Sequence, residues 1–287
     1  MSSATRSGLE TVIYLVAFLI AAGVAGLLAM EATSRFGVGM DLEFLALWSG
    51  AIAMFLATFV YIYMGRNVKI HNDTFFIRTM AVTTIAATAY LAMVLGMGRV
   101  TVAGEEVLVA RYADWILTTP ILLSLLGILA NANRSTIATL VGADVYMIAT
   151  GFLAVVAEPF WQTLVWWGVS TLAFVVLLYL LMGVLSKGAE EQPDEVTGVY
   201  RRLRNLTIVL WSMYPVVWIA GGQGFGVLPA NVEVVSFVVL DVLAKVAFGF
   251  ILLRSHDTIK IRSFYAGGKR EEKSASGSGG QPSGLEV

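Results

Sequence analysis

VEVVSFVVLDVLAKVAFGFILLR, residues 232–254, is long enough to cross a bilayer as a single helix. Between Glu233 and Arg254 only Ser236, Asp241 and Lys245 interrupt the apolar run. A charge at membrane mid-depth costs roughly 2.5–3.5 kcal/mol on insertion scales, so a lysine there needs a compensating partner. Asp241 and Lys245 stand at i and i+4, which puts them on one helical face within reach of each other. An amine buried away from water is also easier to hold neutral, which suits it to forming a Schiff base with an aldehyde. A structural ion pair and an ion site in a transporter are equally open readings of this helix taken alone.

Composition extends the same conclusion to the whole chain. Its 287 residues are 57% hydrophobic and 14% charged, with a mean hydropathy of +0.78. A soluble domain carries about 25% charged residues, so the balance is that of a polytopic membrane protein. The bilayer is its first partner. The net charge of −1 gives no sign of a nucleic-acid partner. With no cysteine, disulfides, thiolate metal sites and cysteine nucleophiles are excluded. The two histidines, His71 and His256, sit at predicted helix ends among charged residues and read as interfacial groups, so no metal site is expected. No zinc-protease, serine-hydrolase, P-loop or dinucleotide motif occurs in a suitable context, which argues against an enzyme.

Hydropathy predicts membrane helices over Asp41–Met64, Phe75–Met97, Val107–Leu129, Thr136–Val156, Phe160–Leu185, Tyr200–Gly222 and Val232–Arg254. An eighth apolar stretch, Leu9–Met30, precedes them. It is longer than the roughly 7–15 residues of a signal-peptide core and is read as a further membrane helix, with a cleaved leader as the alternative. Three regions follow: residues 1–40 with the extra helix, residues 41–256 with the seven-helix domain, and residues 257–287, a Gly- and Ser-rich, mostly disordered tail. Ser186–Val199 is the longest expected connection. Arg66, Lys69, Arg134, Lys187, the Arg201, Arg202 and Arg204 cluster, and Arg254 onward all fall on one side, which the positive-inside rule assigns to the cytoplasm together with the C-terminus.

A second span carries charge of its own. In Val107–Leu129, Arg111, Asp114 and Thr118 share a face at spacings of three and four. Asp114 is a candidate second carboxylate for Lys245, and Arg111 a candidate to balance the excess negative charge. The alternative is a charge network that only fixes helix packing. Trp115, Trp166, Trp167, Trp211, Tyr214 and Trp218 lie inside spans, Tyr90 sits in mid-span, and Gly151 leaves room on another helix. Aromatic residues at helical spacing are commonly core. Beside a buried lysine they also fit a long, flat, apolar ligand tethered to Lys245.

RYADWILTTPILL (111–123), VGADVYMIATG (141–151), VWWGVST (165–171), LWSMYPVVWIAG (210–221) and VLDVLAKVAFGFILLRS (239–255) together resemble the microbial rhodopsins, in their haloarchaeal bacteriorhodopsin type. The resemblance spans about Asp41 to His256 and implies a seven-transmembrane-helix rhodopsin bundle that binds all-trans retinal covalently at Lys245 as a protonated Schiff base. It implies counterions at Asp114, the proton acceptor, and Asp241, with Arg111 toward the outside. Thr118 would bond Asp114. Trp115, Thr119, Met147, Gly151, Trp167, Ser170, Thr171, Trp211, Tyr214 and Trp218 would line the retinal channel. Tyr90 and Tyr214 would bond Asp241, Asp144 would be a neutral buried acid, and Glu233 would serve proton release.

The chain departs from the pump pattern at two places. Leu125 stands where the cytoplasmic carboxylic donor is expected, although Thr79, its hydrogen-bonding neighbour, is retained. Gln223 replaces the glutamate expected beside Glu233. The resemblance therefore implies a light-driven outward proton pump with slow recovery, forming homo-oligomers in the cell membrane. The alternative is a sensory photoreceptor signalling to a membrane transducer. Against that alternative, Ala244 and Val239 stand where such receptors carry Thr and a transducer-contacting Tyr.

Overall fold

In the computed structural model, residues 42–66, 73–102, 104–257 and 259 are described, with the backbone alone at Glu105. The expected N-terminal helix within residues 1–40 lies outside the described residues, as do Lys69, His71 and nearly all of the 257–287 tail. Seven helices among the described residues are long and apolar enough to span a membrane. They are α1 Leu42–Met64, α2 Thr74–Val94, α3 Val109–Leu129, α4 Arg134–Val156, α5 Phe160–Glu190, α6 Asp194–Ala220 and α7 Ala230–Arg254. A two-stranded hairpin, β1 Arg99–Val102 and β2 Glu105–Leu108, joins α2 to α3.

Local chemistry starts and stops these helices. Asp73 Oδ1 accepts from the backbone N–H groups of Phe75 and Phe76 at the start of α2, and Asn133 Oδ1 accepts from that of Thr136 at the start of α4. Pro159, Pro193 and Pro229 immediately precede α5, α6 and α7, where a missing N–H costs nothing. Pro120 lies inside α3. In the turn before it, the hydroxyls of Thr118 and Thr119 donate back to the carbonyls of Asp114 and Trp115.

Sequential helices pack side by side, and α7 closes the ring against α1. α3 is the most buried of the seven and occupies the middle of the bundle. α4 and α5 are the least buried. Their exposed side chains, Tyr146 and Leu153 on α4 and Trp161, Val165, Leu172, Val175 and Tyr179 on α5, make an apolar surface suited to acyl chains.

Two expectations need correction. Ser186–Val199 is not a long connection. α5 runs on to Glu190 through a widened π turn at Leu180–Leu185, and α6 begins at Asp194, leaving Glu191–Pro193 between them. The polar residues there made the helix ends look like loop, yet they only carry both helices beyond the apolar slab. The hairpin was not anticipated either, because four-residue strands are too short for periodicity to reveal. Arg99 ties it to the bundle by pairing with both Glu106 and Glu43 of α1. Burial opposes the Arg99 charge, but these two carboxylates outweigh it and raise the guanidinium above its ordinary value.

Candidate functional site

The site forms where α3 and α7 face each other across the bundle core. Lys245 is 2% exposed, Asp114 1% and Asp241 0%, so all three ionisable groups are cut off from bulk water. Lys245 Nζ donates to Asp114 Oδ2 at 2.5 Å and to Asp241 Oδ1 at 2.9 Å. The i, i+4 relation expected within α7 is therefore a real contact. Nζ here is a free ammonium, standing where a Schiff-base nitrogen would carry the same positive charge.

Lys245 sits in a π turn, Leu243–Ala247, that interrupts α7. A widened turn leaves a backbone carbonyl in need of a donor. Tyr61 of α1 supplies one, its hydroxyl donating to the Val246 carbonyl at 2.6 Å. Gly249, one turn further on, makes that approach possible. A Cβ there would lie 2.5 Å from Thr79 Cγ2 and 2.6 Å from Tyr61 Oη.

The two carboxylates have unequal support. Asp241 accepts from four donors: Tyr90 Oη at 2.7 Å, Tyr214 Oη at 2.8 Å, Trp115 Nε1 at 3.0 Å and Lys245. Asp114 accepts from Lys245 and, at 3.2 Å, from the Thr118 hydroxyl. The bonds from Tyr90, Tyr214 and Thr118 agree with expectation, whereas the Trp115 bond was missed. Thr119 Oγ1 also lies within hydrogen-bond distance of Asp144 Oδ2, at 2.6 Å, and the other Asp144 oxygen is buried with no partner among the described residues.

Arg111 does not join the ion pair as a contacting fourth member. Among the described residues it forms no salt bridge. Its guanidinium lies over the Phe237 ring at 4.5 Å, and Nε and Nη2 are buried with no hydrogen-bond partner among the described residues. Arg111 instead lines a second cavity, toward the hairpin end of the bundle, with Glu43, Glu106, Gln223 and Glu233, bordered also by Trp115 and Phe237. Sequence spacing placed Arg111 on the Asp114 face correctly, but it is nearly one turn nearer the hairpin end.

A cavity of about 100 Å³ runs from Lys245 toward α4 and α5 between mostly apolar side chains, the lining typical of ligand pockets. Of the residues expected to line it, Trp115, Thr119, Met147, Gly151, Trp167, Ser170, Thr171, Trp211, Tyr214 and Trp218 all do so. Tyr90 and Asp144 stand behind this lining and hold it through Asp241 and Thr119. Ser170 Oγ donates to the Met147 carbonyl, and a Cβ on Gly151 would come within 3.2 Å of Ser170 Oγ, so glycine keeps the cavity open there. Tyr112, Phe174 and Pro215 also line the cavity and were missed. Tyr112 was within reach of sequence reasoning. It is three residues before Trp115, packs edge-on to it at 5.3 Å, and accepts a hydrogen bond from Trp218 Nε1.

Among the described residues, seven membrane-spanning helices enclose a long aromatic slot, and the one lysine that faces it is paired with two carboxylates at its end. Residues 41–259 match the family model of bacteriorhodopsin-like proteins, and the chain belongs to that family. It is 48% identical over 224 residues to the bacteriorhodopsin of Haloterrigena sp. (strain arg-4), covering 76% of this chain and 90% of that protein. It is 42% identical over 228 residues to cruxrhodopsin-3 of Haloarcula vallismortis, covering 76% and 91%. Among solved structures, the thermophilic rhodopsin from Rubrobacter xylanophilus superposes with a TM-score of 0.73 at 41% identity, covering 76% of this chain and 97% of that one. The protein is thus a retinal-binding, multi-pass membrane protein and not an enzyme, and Lys245 is the buried lysine at which retinal attaches. The slot fits the cofactor: flat, apolar and flanked by indole rings, with its single amine at one end.

Proposed function

We propose that this protein is a light-driven outward proton pump. The observation that carries the proposal is the inequality of the two carboxylates beside Lys245. Four donors hold the charge of Asp241 in place, whereas Asp114, with Thr118 its one donor besides the lysine, is free to take a proton. Retinal, when attached at Lys245, supplies a light-driven isomerisation that redirects the Nζ proton. Lys245 then gives that proton to Asp114 Oδ2, at 2.5 Å in the resting arrangement. Neutralising the pair alters the field at Arg111, which shares its cavity with Glu233 and Glu43 and is placed to pass the change toward the outer end.

The cytoplasmic end is the one carrying Arg66, Arg134, Lys187, the Arg201 cluster and Arg254, and the C-terminus belongs there. Residues 41–256 are the light-absorbing unit, and self-association in the bilayer is part of the same proposal. The first test is the pH of a suspension of cells expressing the protein with retinal. Illumination is expected to acidify the medium, and a protonophore to abolish the effect. No pH change from a protein that still bleaches and recovers would refute the pump and favour a photosensor with a separate transducer, the reading to which Leu125 and Gln223 point.

Return of a proton to Nζ is expected to be slow. Leu125 is wholly buried and apolar, and Thr79 Oγ1, which would bond a donor there, is buried without a partner among the described residues. Leu125→Asp should speed recovery by an order of magnitude or more, within the roughly 10²–10⁴-fold that positioned proton donors contribute. Flash photolysis reads the rate directly, and an unchanged rate would show that position 125 does not limit recovery.

A further inference from the structure

His256 is not the interfacial residue that its sequence context suggested. It is 3% exposed and Asp73 is 2% exposed, at the basic end of the bundle. His256 Nε2 lies 2.7 Å from Asp73 Oδ2, while Asp73 Oδ1 caps α2. On the other side of the ring, Nδ1 is 3.3 Å from Asp257 Oδ1, and the Asp257 side chain is 90% exposed. Phe76 and Phe75 stand edge-on to the imidazole with centroids at 5.0 and 6.5 Å. The ring therefore has one carboxylate in water and one in the protein, each at its own nitrogen. A ring carrying both N–H protons satisfies both, whereas a neutral ring satisfies one. Histidine is also the side chain best suited to exchange protons near neutral pH.

The seam from this pair toward Lys245 is studded with polar groups. His256 is eleven residues beyond Lys245, about 16 Å of helix rise. Between them, Thr79 and Tyr61 both press against α7 at Gly249, and Tyr61 bonds the carbonyl next to Lys245. Thr79 is six residues beyond Asp73 on α2, and its buried Oγ1 has no partner among the described residues. The seam beside α3 is less hospitable. Leu125 blocks it, and Arg78 Nη1 donates to Ser124 Oγ at 2.7 Å, placing a cation where a proton would have to pass.

We propose that His256, with Asp73, is the proton-uptake relay of this protein, serving in place of a carboxylic acid at position 125. The imidazolium gives its Nε2 proton to Asp73, which passes it along the Thr79 and Tyr61 seam through water to Nζ. The neutral ring keeps its Nδ1 proton, so it must turn its bare Nε2 to the Asp257 side, take a proton there from cytoplasmic water and turn back; each such cycle moves one proton inward along the seam and restores the relay. The proposal rests on the proton cycle described above.

The test uses the full chain with retinal. In His256→Asn, recovery of the Nζ proton should slow at least tenfold, with release of that proton unchanged, and sodium azide should restore the rate by carrying protons past the missing group. An unchanged recovery, or a slowing that azide does not relieve, would overturn the relay. One measurement on the wild type needs no variant to fold. With ¹⁵N-labelled histidine, time-resolved infrared should show the His256 imidazole bands changing in step with Nζ recovery. A silent ring would overturn the relay. Recovery that depends on His256 without net pH change would support the relay while refuting the pump. Net pumping with recovery indifferent to His256 would refute the relay alone.

Discussion

Lys245→Ala is expected to abolish visible absorption entirely. Lys245 is the buried amine at the end of the aromatic slot, and no other described lysine lines that cavity. The substitution removes the attachment point and also the positive charge that two buried carboxylates share. Removing one partner of a buried pair costs about 3–5 kcal/mol, because the charge left behind is uncompensated. Asp241 keeps three neutral donors in this variant, from Tyr90, Tyr214 and Trp115, and Asp114 can take up a proton, so the bundle should still assemble. Far-ultraviolet circular dichroism would show the helices retained while added retinal gives no visible band. A surviving band would place the attachment elsewhere.

Asp114→Asn should have the second largest effect. The amide keeps the volume and the Thr118 contact but can neither balance the Lys245 charge nor accept its proton. With a negative charge no longer 2.5 Å from Nζ, the positive charge spreads along the conjugated ligand and absorption moves to longer wavelength. Light-driven proton release should fall by on the order of 10²–10⁴-fold, the usual worth of a positioned acid or base. Absorption spectroscopy and flash photolysis on one preparation read both effects. An unshifted spectrum, or proton release at the parent rate, would mean that Asp241 performs the role assigned here to Asp114. The donor count argues against that exchange of roles, because a proton placed on Asp241 would disrupt bonds from Tyr90, Tyr214 and Trp115 at once.

Much of the site could be read from spacing. Lys245 and Asp241, Asp114 and Thr118, and Trp211, Tyr214 and Trp218 sit at helical intervals, and a regular helix brings such residues to one face whatever surrounds it. Resemblance supplied the pairing of Tyr90 and Tyr214 with Asp241, which spacing alone does not contain. The failures came where spacing stops being informative. Arg111 shares the Asp114 face but is drawn off to Phe237 and the second cavity. His256 looked interfacial because its sequence neighbours are charged, yet α2 folds Asp73 and two phenylalanines over it.

By itself the sequence determined the seven described spans, the basic end and the pairing of Lys245 with Asp241, leaving Asp114 as a candidate partner. These follow from local quantities: apolar length, charge bias and helical period. The tertiary structure alone decided the π turn at Lys245, the fourfold donation to Asp241 and the sealed His256–Asp73 pair. Each depends on side chains that are distant in sequence, as when Tyr61 satisfies a carbonyl 185 residues away. Such contacts exist only after the helices have packed, so no pattern within one helix can announce them.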